Sequence, residues 1–396
     1  MIAGPVSRLL VAKGVRAFGD GYVSLLLPLY LIELGYTPLQ VGIIATATLL
    51  GSGLGALGVG LFAHRYHYRA LLLAATALMV FTGAGFASVT DFWPLLAIAV
   101  VGTLNPSSGD VSVFLPLEHA LLSRLVDDRD RTAIFARYSL VGSLLAAVGA
   151  LAAGWPDLAV RTLGIGTRTA MQAMFVLYAV LGVATALVYR GLPRAPMGER
   201  QVRAPLTESK RRVAALAALF SIDAFGGGLV VQSMLALWLY QRHGLTPADA
   251  GAIFFATSIL SAASFLIAVR IAKHIGLVNT MVFTHIPANL CLVAMPFVAD
   301  LGVVVALLLV RGLLSQMDVP TRSSYVMAIV RPEERPAAAS LTTVPRSLAS
   351  AASPFITGYM LGLSPFGWPF VLAGAIKIAY DVMLLGMFRK VRPPEE

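Results

Sequence analysis

The residues of this chain best suited to chemistry are ionisable groups set inside long apolar runs. Asp110, Phe114 and Glu118 follow at steps of four, which places both carboxylates on one helical face with His119 beside them. Arg311, Ser315, Asp318 and Arg322 follow at steps of four, three and four and share one stripe, with Pro320 breaking the backbone. Arg16 and Asp20 are four apart, and Asp20 lies between Gly19 and Gly21, where a helix can loosen and expose backbone groups. A carboxylate removed from water can exchange a proton near neutral pH, so Asp20, Asp110 and Glu118 are candidates for carrying protons. Arg16, Asp223, Arg311, Asp318, Arg322 and Arg346 are candidates for binding a solute or gating its path. Lys377 and Asp381, four apart, read as a structural ion pair, and His285 with Asn289 receives the same structural reading.

These charges have to be positioned by helices in a bilayer. The chain has 396 residues, of which 58% are hydrophobic and 13% charged; soluble domains carry about 25% charged residues. Mean hydropathy is +0.80. A spanning helix needs about 20 apolar residues. The sequence predicts an all-α membrane protein with twelve spans, near 11–33, 40–63, 70–90, 92–122, 132–154, 168–189, 214–240, 247–269, 278–299, 301–330, 336–362 and 366–388. The largest external loop is expected near 155–167. An even number of spans puts both termini on one side. That side collects the Lys and Arg residues, leaving Arg161, Arg168 and Arg242 on the other, so both termini are expected to be cytoplasmic. The net charge of +10 is then topological, with no nucleic-acid partner implied. Cys291 is the only cysteine, which excludes an intramolecular disulfide.

The two halves repeat each other. Ala17-Phe18-Gly19-Asp20-Gly21 returns as Ala224-Phe225-Gly226-Gly227-Gly228, and Gly35-Tyr36-Thr37-Pro38 returns as Gly244-Leu245-Thr246-Pro247. Asp130-Arg131-Thr132-Ala133 has its counterpart in Glu334-Arg335-Pro336-Ala337. The expected organisation is two pseudo-symmetric six-helix bundles, residues 1–190 and 214–396, joined by a basic, proline-containing linker at 191–213. Aligning the copies sets Pro116 opposite Pro320 and Glu118 opposite Arg322, a pair whose opposite charges could meet across the bundles as a gate. No Ser/His/Asp elbow, HExxH or nucleotide-binding loop is present, and the acids and bases are dispersed over both halves, which argues against a lipid-modifying enzyme.

Twelve spans in six plus six, a basic central loop and internal repetition resemble the major facilitator superfamily. The loop after the second span, Gly60-Leu61-Phe62-Ala63-His64-Arg65-Tyr66-His67-Tyr68-Arg69-Ala70-Leu71-Leu72, is similar to that family's G-x-L-A-D-R-x-G-R-[RK]-x-x-L motif, with Gly60, Ala63, Arg65, Arg69 and Leu72 matching, His64 standing where the family has Asp and His67 where it has Gly. The resemblance implies charge contacts that close the cytoplasmic side. The family's drug–proton antiport motifs are poorly matched: the fifth span has Gly142, Gly149 and Gly154 but no Gly-Pro, and these glycines more simply allow close helix packing. The resemblance implies a secondary active transporter of a small solute by alternating access. Proton-coupled efflux by antiport is the first expectation, and proton-coupled uptake of a small organic anion or zwitterion the alternative. The expected setting is the bacterial inner membrane, as a monomer, with the lipid bilayer, protons and a small-molecule substrate as partners and no metal or organic cofactor.

Overall fold

Apolar runs broken by Gly and Pro fold into helices that start and stop where those residues fall. We describe a computed structural model covering residues 4–62, 66–107, 112–126, 128–193, 209–318, 321–322, 325–326, 329–330 and 334–389. The helices are α1 (Pro5–Glu33), α2 (Pro38–Phe62), α3 (Tyr68–Ser88), α4 (Phe92–Val101), α5 (Phe114–Leu125), α6 (Asp128–Ala152), α7 (Trp155–Leu163), α8 (Thr167–Arg190), α9 (Lys210–Leu229), α10 (Gln232–His243), α11 (Pro247–Ile275), α12 (Leu277–Ala294), α13 (Leu301–Ser315), α14 (Arg335–Ala352), α15 (Pro354–Leu363) and α16 (Trp368–Phe388). No strand occurs among the described residues. Each predicted span contains at least one of these helices, and the protein is an all-α, multi-pass membrane protein with the twelve-helix plan the sequence predicts.

Eight segments are long and apolar enough to cross a membrane as they stand. The fourth predicted span is instead split into α4 and α5, and the eleventh is split at Ser353 into α14 and α15. The tenth ends its regular helix at Ser315, followed by a turn at 316–317. The stripe expected from Arg311 to Arg322 is therefore not one continuous helical face. The expected external loop at 155–167 is mostly the short helix α7, stopped by Gly164 at φ +66.

The repeated Gly-x-Thr-Pro segments are the same device used twice. Gly35 (φ +88) and Gly244 (φ +64) take the left-handed conformation that a side chain disfavours and turn the chain after α1 and α10. Thr37 then caps α2: its N–H donates to Gln40 Oε1 at 2.9 Å, and Gln40 N–H donates back to Thr37 Oγ1 at 3.4 Å. Thr246 and Asp249 exchange the equivalent bonds at 3.1 and 3.2 Å at the start of α11. These are reciprocal capping boxes that satisfy otherwise orphaned amide donors.

The chain divides into two units, Met1–Arg200 with Val231–Phe255, and Gln201–Val230 with Ala256–Glu396. α10 and the start of α11 thus fold with the first unit, where α10 packs on α1 and Ser233 N–H donates to Pro106 O at 3.0 Å. Within each unit the repeated glycines mark a close helix crossing. A Cβ on Gly21 of α1 would overlap the Ala146 carbonyl of α6, and one on Gly149 would overlap Phe18 O. In the second unit, a Cβ on Gly228 of α9 would overlap the Ser350 carbonyl of α14. α1 runs unbroken through Gly19 and Gly21, so these glycines serve packing and do not loosen the helix as the sequence suggested. Gly21→Ala is expected to cost about 1–3 kcal/mol or more through overpacking. Gly53→Ala, with nothing within 4 Å of the new methyl, should be neutral or gain up to about 1 kcal/mol. Thermal unfolding of the two variants in detergent checks the contrast.

Candidate functional site

Each unit holds one knot of buried charge, built on an apolar floor. In the first unit, Leu9, Ala12, Leu72, Leu117 and Leu121 form part of that floor and bring α1, α3 and α5 together. Arg16 of α1 and Glu118 of α5 lie just beside it. They are 4% and 0% exposed, respectively. Arg16 Nη2 donates to Glu118 Oε2. Tyr138 of α6 donates to the same oxygen at 2.5 Å, and Tyr189 of α8 donates to Glu118 Oε1 at 2.6 Å. The Arg16 guanidinium stacks over the Phe114 ring, 4.0 Å from its centroid. Both carboxylate oxygens are thus engaged by strong, charge-assisted donors. Glu118 on another helix gives Arg16 a fully buried ion-pair partner, and Asp20, four residues along α1, also lies within electrostatic reach of Arg16. Asp20 is half-buried on α1, within electrostatic reach of Tyr22 and Tyr178.

In the second unit, Val213, Leu216, Phe220, Met281, Leu384 and Phe388 supply a corresponding floor under α9, α12 and α16. Asp223 of α9 is at the centre and is 3% exposed. Lys377 Nζ of α16 donates to Asp223 Oδ1 at 2.5 Å, and Arg322 Nη1 donates to Asp223 Oδ2 at 3.2 Å. Arg322 also pairs with Asp318 Oδ2 at 3.0 Å. His285 of α12 lies between two acids: its Nδ1 is 2.9 Å from Asp381 Oδ1 and its Nε2 is 3.8 Å from Asp223 Oδ1. Asn289 donates to Asp381 Oδ2 at 3.3 Å. Arg322 sits over the Phe220 ring, 5.5 Å from its centroid.

The two knots are the same arrangement with its charges reversed. Arg16 and Asp223 are separated by 207 residues, the offset that relates the Ala-Phe-Gly anchors, and Glu118 and Arg322 are separated by 204. The first unit pairs base on span one with acid on span four; the second pairs acid on span seven with base on span ten. In both, a phenylalanine one turn before the acid lies under the arginine: Phe114 before Glu118, and Phe220 before Asp223. The remaining partners differ in kind. Neutral phenols complete the first knot, whereas a lysine and a histidine complete the second.

Several sequence expectations change here. Glu118 and Arg322 were set opposite each other as a gate, but each is engaged inside its own unit, by Arg16 and Asp223. Lys377 and Asp381 do not form their expected pair with each other; Lys377 goes to Asp223 and Asp381 to His285. The reason is geometric: Asp223 draws Lys377 toward α9, and α12 presents His285 and Asn289 to Asp381. His285, Asn289, Lys377 and Asp381 are therefore members of the knot that the in-helix spacing disguised. Arg311 and Arg346 are half-buried, with a buried Nε that has no hydrogen-bond partner. Arg137 is exposed on α6. Asp110, His64, Arg65 and Pro320 lie outside the described residues; Gly60 falls in the last turn of α2 and Arg69 in the first of α3. Among the described residues no cluster of His, Cys, Asp and Glu suited to a metal is found.

Comparison with known proteins agrees with this architecture. The family description of the Major Facilitator Superfamily matches residues 9–315. The chain is 23% identical over 410 residues to the uncharacterized membrane protein YJR124C of Saccharomyces cerevisiae, covering 94% of this chain and 92% of the yeast protein. Among solved structures, the nucleoside transporter NupG superposes with a TM-score of 0.73 at 13% identity, covering 98% of this chain and 99% of NupG. A bacterial homologue of the human lysosomal transporter Spinster in an inward-facing, occupied conformation gives 0.73 at 15%, covering 98% and 97%. A bacterial homologue of the iron transporter ferroportin gives 0.73 at 15%, covering 96% and 98%. With a family match over most of its length and the fold of these transporters, the chain belongs to the Major Facilitator Superfamily and is a membrane transporter of small molecules.

Proposed function

We propose that this protein is a proton-coupled secondary transporter that exports a small organic solute by alternating access, with both termini cytoplasmic. The observation that carries the reading is the Asp381–His285–Asp223 arrangement of the second unit. A buried histidine whose two ring nitrogens face two carboxylates gives the coupling proton a place to sit, because either nitrogen can carry it toward an acid. Adding that proton changes the charge balance around Asp223, and with it the competition among Lys377, Arg322 and His285 for one carboxylate. The Arg16–Glu118 knot has no such freedom, since phenols fill its remaining positions. Glu118 then serves as a fixed anchor, Asp20 remains a half-buried candidate on α1, and Asp110 is the third. Asp223, Asp318 and Arg322 act as the switching elements.

The experiment reconstitutes the protein in liposomes holding a pH dye and adds a solute first identified by its stabilisation of the purified protein. Export by antiport moves protons opposite to the solute; symport moves them with it. His285→Gln is expected to keep solute exchange at equal pH on both sides and to lose accumulation driven by a pH gradient. Undiminished gradient-driven accumulation in His285→Gln would remove the histidine from the coupling path. The second reading, uptake of a small organic anion with protons, is favoured by the half-buried Arg311 and Arg346, whose Nε atoms have no protein acceptor.

A further inference from the structure

The cations within the spans of the second unit are not all paired among the described residues. Asp223, Asp318 and Asp381 face Arg311, Arg322, Arg346 and Lys377. The carboxylates are all engaged: Asp223 by Lys377 and Arg322, Asp318 by Arg322, Asp381 by His285 and Asn289. Arg311 and Arg346 are the two cations of these spans left without a carboxylate partner among the described residues. A surplus cation inside a membrane protein is costly unless it faces water or meets an anion.

Arg346 is the best placed of the surplus cations. It lies on α14, whose polar residues Thr342, Arg346, Ser350 and Ser353 recur at steps of four, four and three. That stripe faces inward: Thr342 and Ser353 are buried, and Ser353 Oγ donates to Phe225 O of α9 at 2.7 Å. Leu341 and Leu348, on the other side of the helix, are 40% and 38% exposed. Arg346 is within electrostatic reach of Asp223, Asp318 and Arg322. Yet it makes no hydrogen bond or ion pair among the described residues, and its Nε is buried without a partner. Asp223 and Asp318 already bond Arg322, which occupies the acids that could have served Arg346. Pro345 immediately before it lies inside the helix and removes a backbone donor there.

We infer that Arg346 binds the anionic group of the transported solute, and that this group is a carboxylate. The inference rests on the transporter reading above and narrows its solute. A guanidinium offers a planar pair of donors that matches a carboxylate in bidentate geometry. One unpaired guanidinium is matched by one monoanion; a phosphate dianion would need a second free cation beside Arg346, and the neighbouring Arg322 is held by two acids.

The test uses the full chain, purified in detergent, and three isosteric probes at equal ionic strength: benzoate, benzamide and benzylamine. Benzoate at about a hundred times its Kd is expected to raise the melting temperature by several degrees, and the neutral and cationic probes are not. Arg346→Gln is expected to weaken benzoate binding about 10- to 100-fold, the loss of hydrogen bonds to a charged group. Arg346→Lys keeps the charge without the fork and falls between. Without probe, Arg346→Gln should melt at or above the wild-type temperature, because no protein acceptor is lost. Lower stability, or failure to fold, makes Arg346 a structural cation and overturns the inference. So does a benzoate shift unchanged in Arg346→Gln, stabilisation by benzylamine instead, or no shift with monocarboxylates from acetate to benzoate. The proteoliposome proton signal is scored separately. Proton movement without any carboxylate effect leaves the coupling reading standing and removes this site; a carboxylate effect without proton movement does the reverse.

Discussion

Asp223→Asn is expected to abolish transport and to destabilise the fold by about 3–5 kcal/mol, the cost of leaving buried charges without their counter-ion. The magnitude follows from the number of cations that meet at this carboxylate. Lys377 at 2.5 Å and Arg322 at 3.2 Å both lose their partner, and Arg322 keeps only Asp318. Thermal unfolding in detergent reads the stability, and proteoliposome flux reads the transport. Adding Lys377→Met to Asp223→Asn removes one of the stranded cations and should recover part of the stability. Transport should stay absent, because the carboxylate that the cations exchange is gone. A double variant no more stable than Asp223→Asn would show that Lys377 does not depend on Asp223. The comparison with Arg346→Gln is instructive: one substitution strands cations, whereas the other removes a cation that has no protein partner.

Glu118→Ala should be comparably severe, about 3–5 kcal/mol, because it strands Arg16 in a fully buried setting. Tyr138→Phe and Tyr189→Phe each remove one hydrogen bond to the charged carboxylate, worth about 1.5–3 kcal/mol. They leave the ion pair intact and so give a graded series. The series separates anchor from switch. If Glu118 is an anchor, the tyrosine variants lose stability but keep the pH dependence of transport. A shifted pH profile in either tyrosine variant would instead place Glu118 on the proton path.

Much of this fold could be read from residues alone. The Gly-x-Thr-Pro copies became left-handed turns followed by capping boxes, and Gly21, Gly149 and Gly228 became close crossings. What failed was partner assignment. Lys377–Asp381 has good in-helix spacing, yet such a pair contributes only about 0.2–0.5 kcal/mol. A buried carboxylate reached from several helices outweighs that, and only tertiary packing shows which helices reach it. The inversion of charge had a legible signal. Arg16 and Asp223 stand at the offset of the Ala-Phe-Gly anchors, as Glu118 and Arg322 stand at that of the prolines. Considering both mismatches together, with each base beside its own half's acid, gives the pairs observed. His285 and Asn289 were harder, because nothing along α12 marks them except each other.

The division of the chain into units has a consequence for how the protein is made. The first unit includes Val231–Phe255, so its helices cannot complete their packing when the ribosome has finished residue 200. The face of α1 that receives α10, and the Pro106 carbonyl that receives Ser233, wait until the next half has begun to emerge. At about 5–20 residues per second this delay lasts several seconds. During that interval the nascent first half depends on the insertion machinery or on lipid to cover what α10 will later cover. Residues 1–200 expressed as a separate polypeptide would stay in this unfinished condition and be exposed to membrane proteases, whereas a fragment extended through residue 255 carries the missing piece.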